Sequence, residues 1–340
     1  MDRKRFLSSF VAAGIPVAGF PSFFIKNEED VLAPIVPRYL KPGDTIGITC
    51  PAGTITPEEI QPAMIQMVEW GFNIKVGETV GKKDFTFGGT DEERARDFQQ
   101  MIDDPKVKAI MCARGGYGFV RIIDKIDFTK LAAKPKWIIG FSDVTVLHAH
   151  LNRNYGIASI HSKMCNSFPD DWNKAEPIQI ETILSIKQAL TGQKMRYTVP
   201  ANGQNKQGST EGVLIGGNLK MIETLAGTKS DIRTTNKILF VEDTGEYLYS
   251  IDRMFWNLKR TGKLEKLAGL IVGGFKVKPD DPGEEFGRTL QDIVLEKVKN
   301  YRYPVCFDFP VGHQKNNYAL KCGARHRLLV DAAEVTLKEV

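Results

Sequence analysis

The sequence predicts an α/β protein: a mostly parallel, doubly wound sheet, followed by a second, smaller and more strand-rich mixed α/β unit. Three observations carry this. Short apolar or β-branched runs alternate with capped helical segments between residues 45 and 151, the βαβα rhythm that builds parallel sheets. The rhythm halts in a polar, flexible stretch at 192–208, the composition of a boundary between folding units. Beyond that stretch the alternation starts again.

The elements follow in order. Thr45-Ile46-Gly47-Ile48-Thr49-Cys50 is a β-branched run stopped by Pro51-Ala52-Gly53. Thr56-Pro57-Glu58-Glu59 then supplies an N-cap, a proline at the first helical position and first-turn acids, so a helix runs to about Trp70 and ends at Gly71. Residues 72–76 alternate as a strand. Thr90-Asp91-Glu92-Glu93 has the Thr-x-x-Glu spacing of a capping box and opens a helix through Met101. Residues 107–113 and 137–140 read as buried strands, and 144–151 as a helix. In the second unit, 237–241 and 270–274 are strands, 250–260 and 289–299 helices, and strand content rises toward Val340. In such folds ligands gather at the carboxyl ends of the strands.

Composition narrows the function classes. At 340 residues, 42% hydrophobic and 26% charged, the chain can bury a sizeable core, and it carries no heptad run, collagen period or repeat. The net charge of +5 is spread along the chain rather than gathered into a stripe, which argues against nucleic acid as a partner. Five cysteines, odd in number and set mostly in apolar runs without Cys-x-x-Cys spacing, read as buried thiols. The five histidines form no HExxH pattern, and His148 and His150 are two apart, on different faces of a helix; no metal is expected.

Residues 1–20 begin with Arg3-Lys4-Arg5-Phe6-Leu7 and continue as an apolar, small-residue stretch, which is export-signal composition. The cluster resembles a twin-arginine signal, with Lys4 where the second arginine would stand, and predicts a periplasmic location. The apolar part is too short, and broken by Pro16, for a stable membrane span. The alternative is the frayed terminus of a cytoplasmic protein. Residues 1–36 are therefore assigned to a signal-like segment and linker, 37–192 to the first domain, 193–211 to an interdomain linker and 212–340 to the second domain.

The sharpest chemical signal is Gly140-Phe141-Ser142-Asp143-Val144, a serine at the tip of a strand-to-helix turn. Such an elbow exposes the hydroxyl and aims the first helical N–H groups at the same point. Val144 stands where a G-x-S-x-G pattern has its second glycine, and the competing reading is that Ser142 merely caps the helix. Arg114-Gly115-Gly116-Tyr117-Gly118 follows an apolar strand and lets backbone N–H groups cradle an anion; a plain glycine turn explains it equally well, and it is no dinucleotide fingerprint. Glu242 ends one strand of the second unit, and His313 follows another. Singly these are ordinary. Together Ser142, Glu242 and His313 supply nucleophile, acid and base in that order along the chain.

These motifs resemble the LD-carboxypeptidase family of serine peptidases, which includes murein tetrapeptide carboxypeptidases and microcin C immunity hydrolases. The resemblance runs from Pro37 to Val340 through Cys50-Pro51-Ala52-Gly53, Gly89-Thr90-Asp91, the Arg114 loop, the Ser142 elbow, Gly216-Gly217-Asn218-Leu219, Val241-Glu242-Asp243 and Gly312-His313. It implies a Rossmann-like N-terminal domain carrying the nucleophile and a C-terminal domain carrying acid and base. Ser142 would be nucleophile, His313 general base and Glu242 its orienting acid, with the N–H groups of Asp143 and Gly116 as oxyanion hole and no cofactor. The implied reaction is removal of the terminal D-alanine from a murein tetrapeptide, with Arg114 and Asn218, and further Glu246 or Arg253, as substrate-binding groups; a salt bridge accounts equally well for Arg253. A homodimer is also implied. Ser162-Lys163 departs from the Gly-Pro of many members and points to a different cleft wall. The alternatives are a microcin-immunity-type hydrolase of aminoacyl-nucleotide conjugates and a non-catalytic nucleotide- or peptidoglycan-binding protein.

Overall fold

Thr56 and Thr90 each accept a hydrogen bond from the backbone N–H three residues on, while Glu59 and Glu93 reach back to the threonine N–H, so both capping boxes form as the spacing predicts. Each satisfies two orphan donors at a helix start and contributes on the order of 1 kcal/mol. In the computed structural model, which describes residues 32–340, these helices are α1 (Pro57–Glu69) and α2 (Asp91–Asp103). They alternate with β1 (Thr45–Thr49), β2 (Asn73–Val76) and β3 (Val107–Cys112). Short helices α3 (Phe119–Ile122) and α4 (Thr129–Ala133) lead to β4 (Trp137–Gly140), α5 (Thr145–Tyr155), β5 (Ser159–His161) and α6 (Pro177–Leu190). The export-signal reading falls on residues outside those described.

The second half contains β6 (Arg196–Pro200), β7 (Gly208–Asn218), α7 (Leu219–Thr224), β8 (Lys237–Glu246), α8 (Leu248–Arg260), β9 (Gly269–Val277), α9 (Leu290–Val298) and β10 (Val305–Cys306). Strands β11 (Leu320–Cys322), β12 (Arg325–Val330) and β13 (Glu334–Glu339) follow. One sheet has the order β11-β5-β4-β3-β1-β2 and the other β10-β9-β8-β7-β12-β13-β6. In the first, β1 to β5 pair in parallel and β11 joins antiparallel. In the second, β7 to β10 are parallel and the rest antiparallel.

Alternation along the central strands explains the two covered faces. Ala109, Met111 and Ile139 pack with Ile60, Ala63 and Met67 of α1, whereas Ile110 and Cys112 pack with Phe98, Met101 and Ile102 of α2. A parallel sheet buried on both faces needs such apolar strands. All five cysteines are buried and free.

Two features depart from a simple division into consecutive units. The segment 193–211, expected as a linker, contains β6 and the start of β7; β6 pairs Val199 with Val335 and Thr198 with Thr336. An edge strand with half-buried and exposed residues in alternation lacks the apolar run by which a central strand is recognised. In addition, β11 leaves its own half of the chain to pair Leu320 with His161 and Cys322 with Ser159, closing the first sheet.

The sheets meet where α5 begins. Val146, Leu147 and Ala149 share one core with Ile215, Leu219, Leu239 and Val241. At its edge Thr145 Oγ1 accepts a hydrogen bond from the Asn218 N–H at 3.0 Å. Gly217 makes this approach possible, because a Cβ there would stand 2.4 Å from Thr145 Oγ1. Asn218 is the register partner of Glu242 on β8, so the same contact brings the end of β8 to the start of α5.

Candidate active site

β4 ends at Gly140, Phe141 is extended, and Ser142 has φ +62°, a left-handed conformation that a non-glycine residue adopts only when its surroundings hold it there. Gly140 permits the turn: a Cβ on it would lie 2.9 Å from the Val144 side chain. Neither the single 3-10 turn Ser142–Val144 nor α5 has a side-chain cap, so Ser142 is not a helix cap. Beneath the turn, buried His148 binds the Gly140 carbonyl through Nε2 at 2.9 Å and Ser159 Oγ through Nδ1 at 2.7 Å. A carbonyl only accepts, so Nε2 carries the proton and Nδ1 accepts from Ser159. Burial pushes the His148 pKa down to about 4, which keeps the ring neutral. His150 is also buried and binds Ser230 Oγ at 2.9 Å.

The glycine loop lies against this elbow. A Cβ on Gly115 would be 3.2 Å from Ser142 Cβ and 3.5 Å from its Oγ, and Gly116, at φ +102°, packs on Gly53. Gly53 N–H donates to the Gly115 carbonyl at 2.9 Å, joining the turns after β1 and β3 at the point where the strand order reverses. Among the described residues the N–H groups of Gly116 and Asp143 have no protein acceptor. The Asp143 side chain, which the sequence did not single out, accepts from Phe119 N–H at 2.8 Å and ties loop to elbow. Burial pushes its pKa up to about 6, against the backbone donors of Phe119 and Gly118 and the charge of Arg94.

Arg94 was also invisible as a site residue. Fully buried, it donates to the carbonyls of Pro51 at 2.6 Å, Gly118 at 2.9 Å and Gly89 at 3.2 Å, and pairs with Asp91. One guanidinium thus gathers three turns that stand far apart in the sequence.

From the other sheet come Glu242 and His313. His313 Nδ1 lies 2.6 Å from Glu242 Oε2, with the glutamate fully buried and the imidazole partly exposed. A carboxylate accepts, so Nδ1 donates and the neutral ring presents its lone pair at Nε2. Gly312, at φ +111°, makes the approach possible, since a Cβ there would stand 2.5 Å from Glu242 Cβ. Asn317 Oδ1 anchors the loop by accepting from Gly312 N–H at 2.8 Å. The His313 ring packs 4.9 Å from the ring of Phe141, the neighbour of Ser142. No hydrogen bond joins Ser142 to His313 among the described residues, a looseness common in sites without substrate.

The remaining sequence candidates have different surroundings. Arg114 is exposed and donates to the Thr54 carbonyl at 3.2 Å. Asn218 is buried, its amide bound to Asp243 Oδ1 at 3.0 Å and its oxygen capping α7 through Met221 N–H at 3.1 Å; its side chain is engaged inside the protein. Burial raises the Asp243 pKa to about 6. Glu246 accepts from Ser250. Arg253 stacks over Tyr249 at 5.4 Å and forms no ion pair among the described residues. No cluster of metal-ligating side chains occurs among the described residues.

Comparison with known proteins agrees with this architecture. Residues 46–162 match the LD-carboxypeptidase N-terminal domain and residues 211–328 the LD-carboxypeptidase C-terminal domain. A probable murein peptide carboxypeptidase of Bacillus subtilis is 32% identical over 85% of this chain and 90% of its own length. A murein tetrapeptide carboxypeptidase of Pseudomonas aeruginosa is 29% identical over 82% of this chain and 91% of its own. The crystal structure of a muramoyltetrapeptide carboxypeptidase from Oxalobacter formigenes superposes with a TM-score of 0.77 at 28% identity, covering 87% of this chain and 98% of that one. The chain belongs to the LD-carboxypeptidase family and is a serine-type carboxypeptidase.

Proposed function

We propose that this enzyme removes the terminal D-alanine from murein tetrapeptides through Ser142, His313 and Glu242. The observation that carries the reading is the Glu242–His313 hydrogen bond of 2.6 Å, with the imidazole packed on Phe141, the residue before a serine held at positive φ. His313 Nε2 takes the Ser142 proton as Oγ attacks the carbonyl carbon of the scissile amide, and Glu242 stabilises the imidazolium. The N–H groups of Asp143 and Gly116 hold the oxyanion, each donor worth about 10²–10³ in rate. Collapse breaks the amide bond, and His313 returns the proton to the departing D-alanine amine. Water, deprotonated by His313, then hydrolyses the acyl-enzyme and frees Ser142.

Mass spectrometry of a murein tetrapeptide incubated with wild type and Ser142→Ala tests the assignment. Loss of one D-alanine by wild type alone is expected; equal cleavage by both would remove Ser142 from the chemistry. An intact tetrapeptide with wild type would overturn the substrate, and aminoacyl-nucleotide conjugates would be assayed next. The basic start Arg3-Lys4-Arg5 supports a periplasmic site of action, which fractionation of cells expressing the full chain and its triple glutamine variant tests. Wild type found only in the cytoplasm would sink that location.

A further inference from the structure

Lys163 stands at the carboxyl end of β5, beside the end of β4 that carries the nucleophile elbow, and Ser162 N–H fixes this neighbourhood by donating to the Gly140 carbonyl at 3.1 Å. The side chain is half-buried. Its Nζ donates to the Gln314 carbonyl at 2.6 Å and lies 5.6 Å from the centre of the Phe141 ring. The ammonium is thereby pinned between the residue before Ser142 and the residue after His313.

Its charge is incompletely answered. An ammonium has three donors, one of which is used; among the described residues no carboxylate lies within ion-pair distance of it. Lys163 also lines a cavity of about 290 Å3 together with Glu176, Gln179 and Lys315. The other lysine there, Lys315, bonds Glu176 at 2.6 Å, whereas Lys163 has no carboxylate partner among the described residues. Burial, and next the charge of Lys276, push the Lys163 pKa down, with Glu242 opposing. An anion placed at Nζ would relieve both effects.

We propose that Lys163 binds the free carboxylate of the substrate's C-terminal residue and so strengthens this enzyme's preference for a peptide with a free C-terminus. The inference rests on the peptidase reading above and adds a specificity-determining residue to it. In a carboxypeptidase substrate the terminal carboxylate lies one Cα beyond the scissile nitrogen, so its receptor must stand close to both Ser142 and His313. Lys163 meets that condition through Phe141 and Gln314. A charge-assisted hydrogen bond at a partly desolvated site is worth roughly 10- to 100-fold in affinity.

The test compares a tetrapeptide ending in free D-alanine with the same peptide ending in D-alaninamide, using wild type, Lys163→Met, Lys163→Gln and Lys163→Arg. Wild type is expected to prefer the acid by at least about 10-fold in kcat/KM. Lys163→Met and Lys163→Gln should raise KM for the acid by about 10- to 100-fold, change kcat little and bring the acid-to-amide ratio toward one. Lys163→Arg should restore most of the preference. Unchanged KM and acid preference in both neutral variants that melt like wild type would overturn the proposal, as would a fall in kcat alone. Were wild type to cleave neither peptide, the substrate reading itself would fail, a result distinct from a wild type that cleaves both without preference, which overturns only the role of Lys163.

Discussion

Glu242 Oε2 and His313 Nδ1 lie 2.6 Å apart although the two residues are 71 positions apart in the chain, and the glutamate is fully buried while the histidine retains a solvent-facing edge. A buried carboxylate holding one nitrogen leaves the other free for proton transfer. Glu242→Gln is near-isosteric but can donate to Nδ1, which selects the opposite tautomer and places the lone pair on the wrong side of the ring. Steady-state kinetics should show kcat lower by about 10³- to 10⁴-fold with KM within a few-fold of wild type. A loss below 10-fold would separate Glu242 from the chemistry.

Gly312 tests whether the loop geometry, rather than the imidazole alone, matters. Its φ of +111° and a projected Cβ contact of 2.5 Å with Glu242 leave no room for a side chain. Gly312→Ala should move His313 away from Glu242 and lower kcat by at least about 10²-fold, since a misplacement of 1 Å costs that much. It should also reduce stability by about 1–3 kcal/mol through backbone strain. Activity close to wild type would mean that the loop relocates without disturbing the pair.

Arg94→Lys is expected to be far from conservative. A lysine has no planar fork to serve the carbonyls of Pro51, Gly89 and Gly118 together, and at least one buried acceptor would lose its donor. Denaturant unfolding should show a loss of about 2–4 kcal/mol, with kcat/KM reduced in protein that remains folded because the glycine loop loses its anchor.

His148 gives a pH-dependent signature. Its folded-state pKa of about 4 lies below the ordinary histidine value of about 6.5, so protonation favours the unfolded chain. Its stabilisation is complete above about pH 6.5 and is lost as pH falls toward 4, amounting to about 3 kcal/mol. Buried Asp143 and Asp243 titrate with the opposite sign, because their raised pKa values near 6 make the folded state bind protons first. A difference measurement removes their contribution. The stability gap between wild type and His148→Gln should shrink by up to that amount between pH 7 and pH 4.5; a gap independent of pH would show that the imidazole is not held neutral.

Much of the first sheet was legible in the chain because its signals are local. Thr56, Pro57 and Glu59, or Thr90 and Glu93, each announce a helix within four residues, and runs such as Trp137-Ile138-Ile139 announce a buried strand. Two edge strands, β6 and β11, were not legible. β6 alternates exposed and half-buried residues, and three-residue β11 finds its partner in β5, more than 150 residues earlier in the chain, pairing Leu320 with His161 and Cys322 with Ser159. At the site, the residue types of Ser142, Glu242 and His313 and the glycines beside them stood out, whereas Arg94 looked like an ordinary charge, Asp143 stood out only for its backbone N–H, and Lys163 only as a departure in the cleft wall. Nothing within a few residues of Arg94 indicates that Pro51 and Gly118 will present their carbonyls to it.

The sequence by itself determined the α/β class, the order of the central elements and the positions where a turn must be tight, because capping, alternation and the need for glycine act over a few residues. Tertiary structure decided which turns meet. It set Thr145 against Asn218, drew Glu242 to within hydrogen-bond distance of His313, gave Arg94 its three carbonyls and placed the Lys163 ammonium on the Gln314 carbonyl beside the elbow. Those relations depend on strand order and on close approaches at Gly217 and Gly312, which join residues that the chain itself keeps far apart.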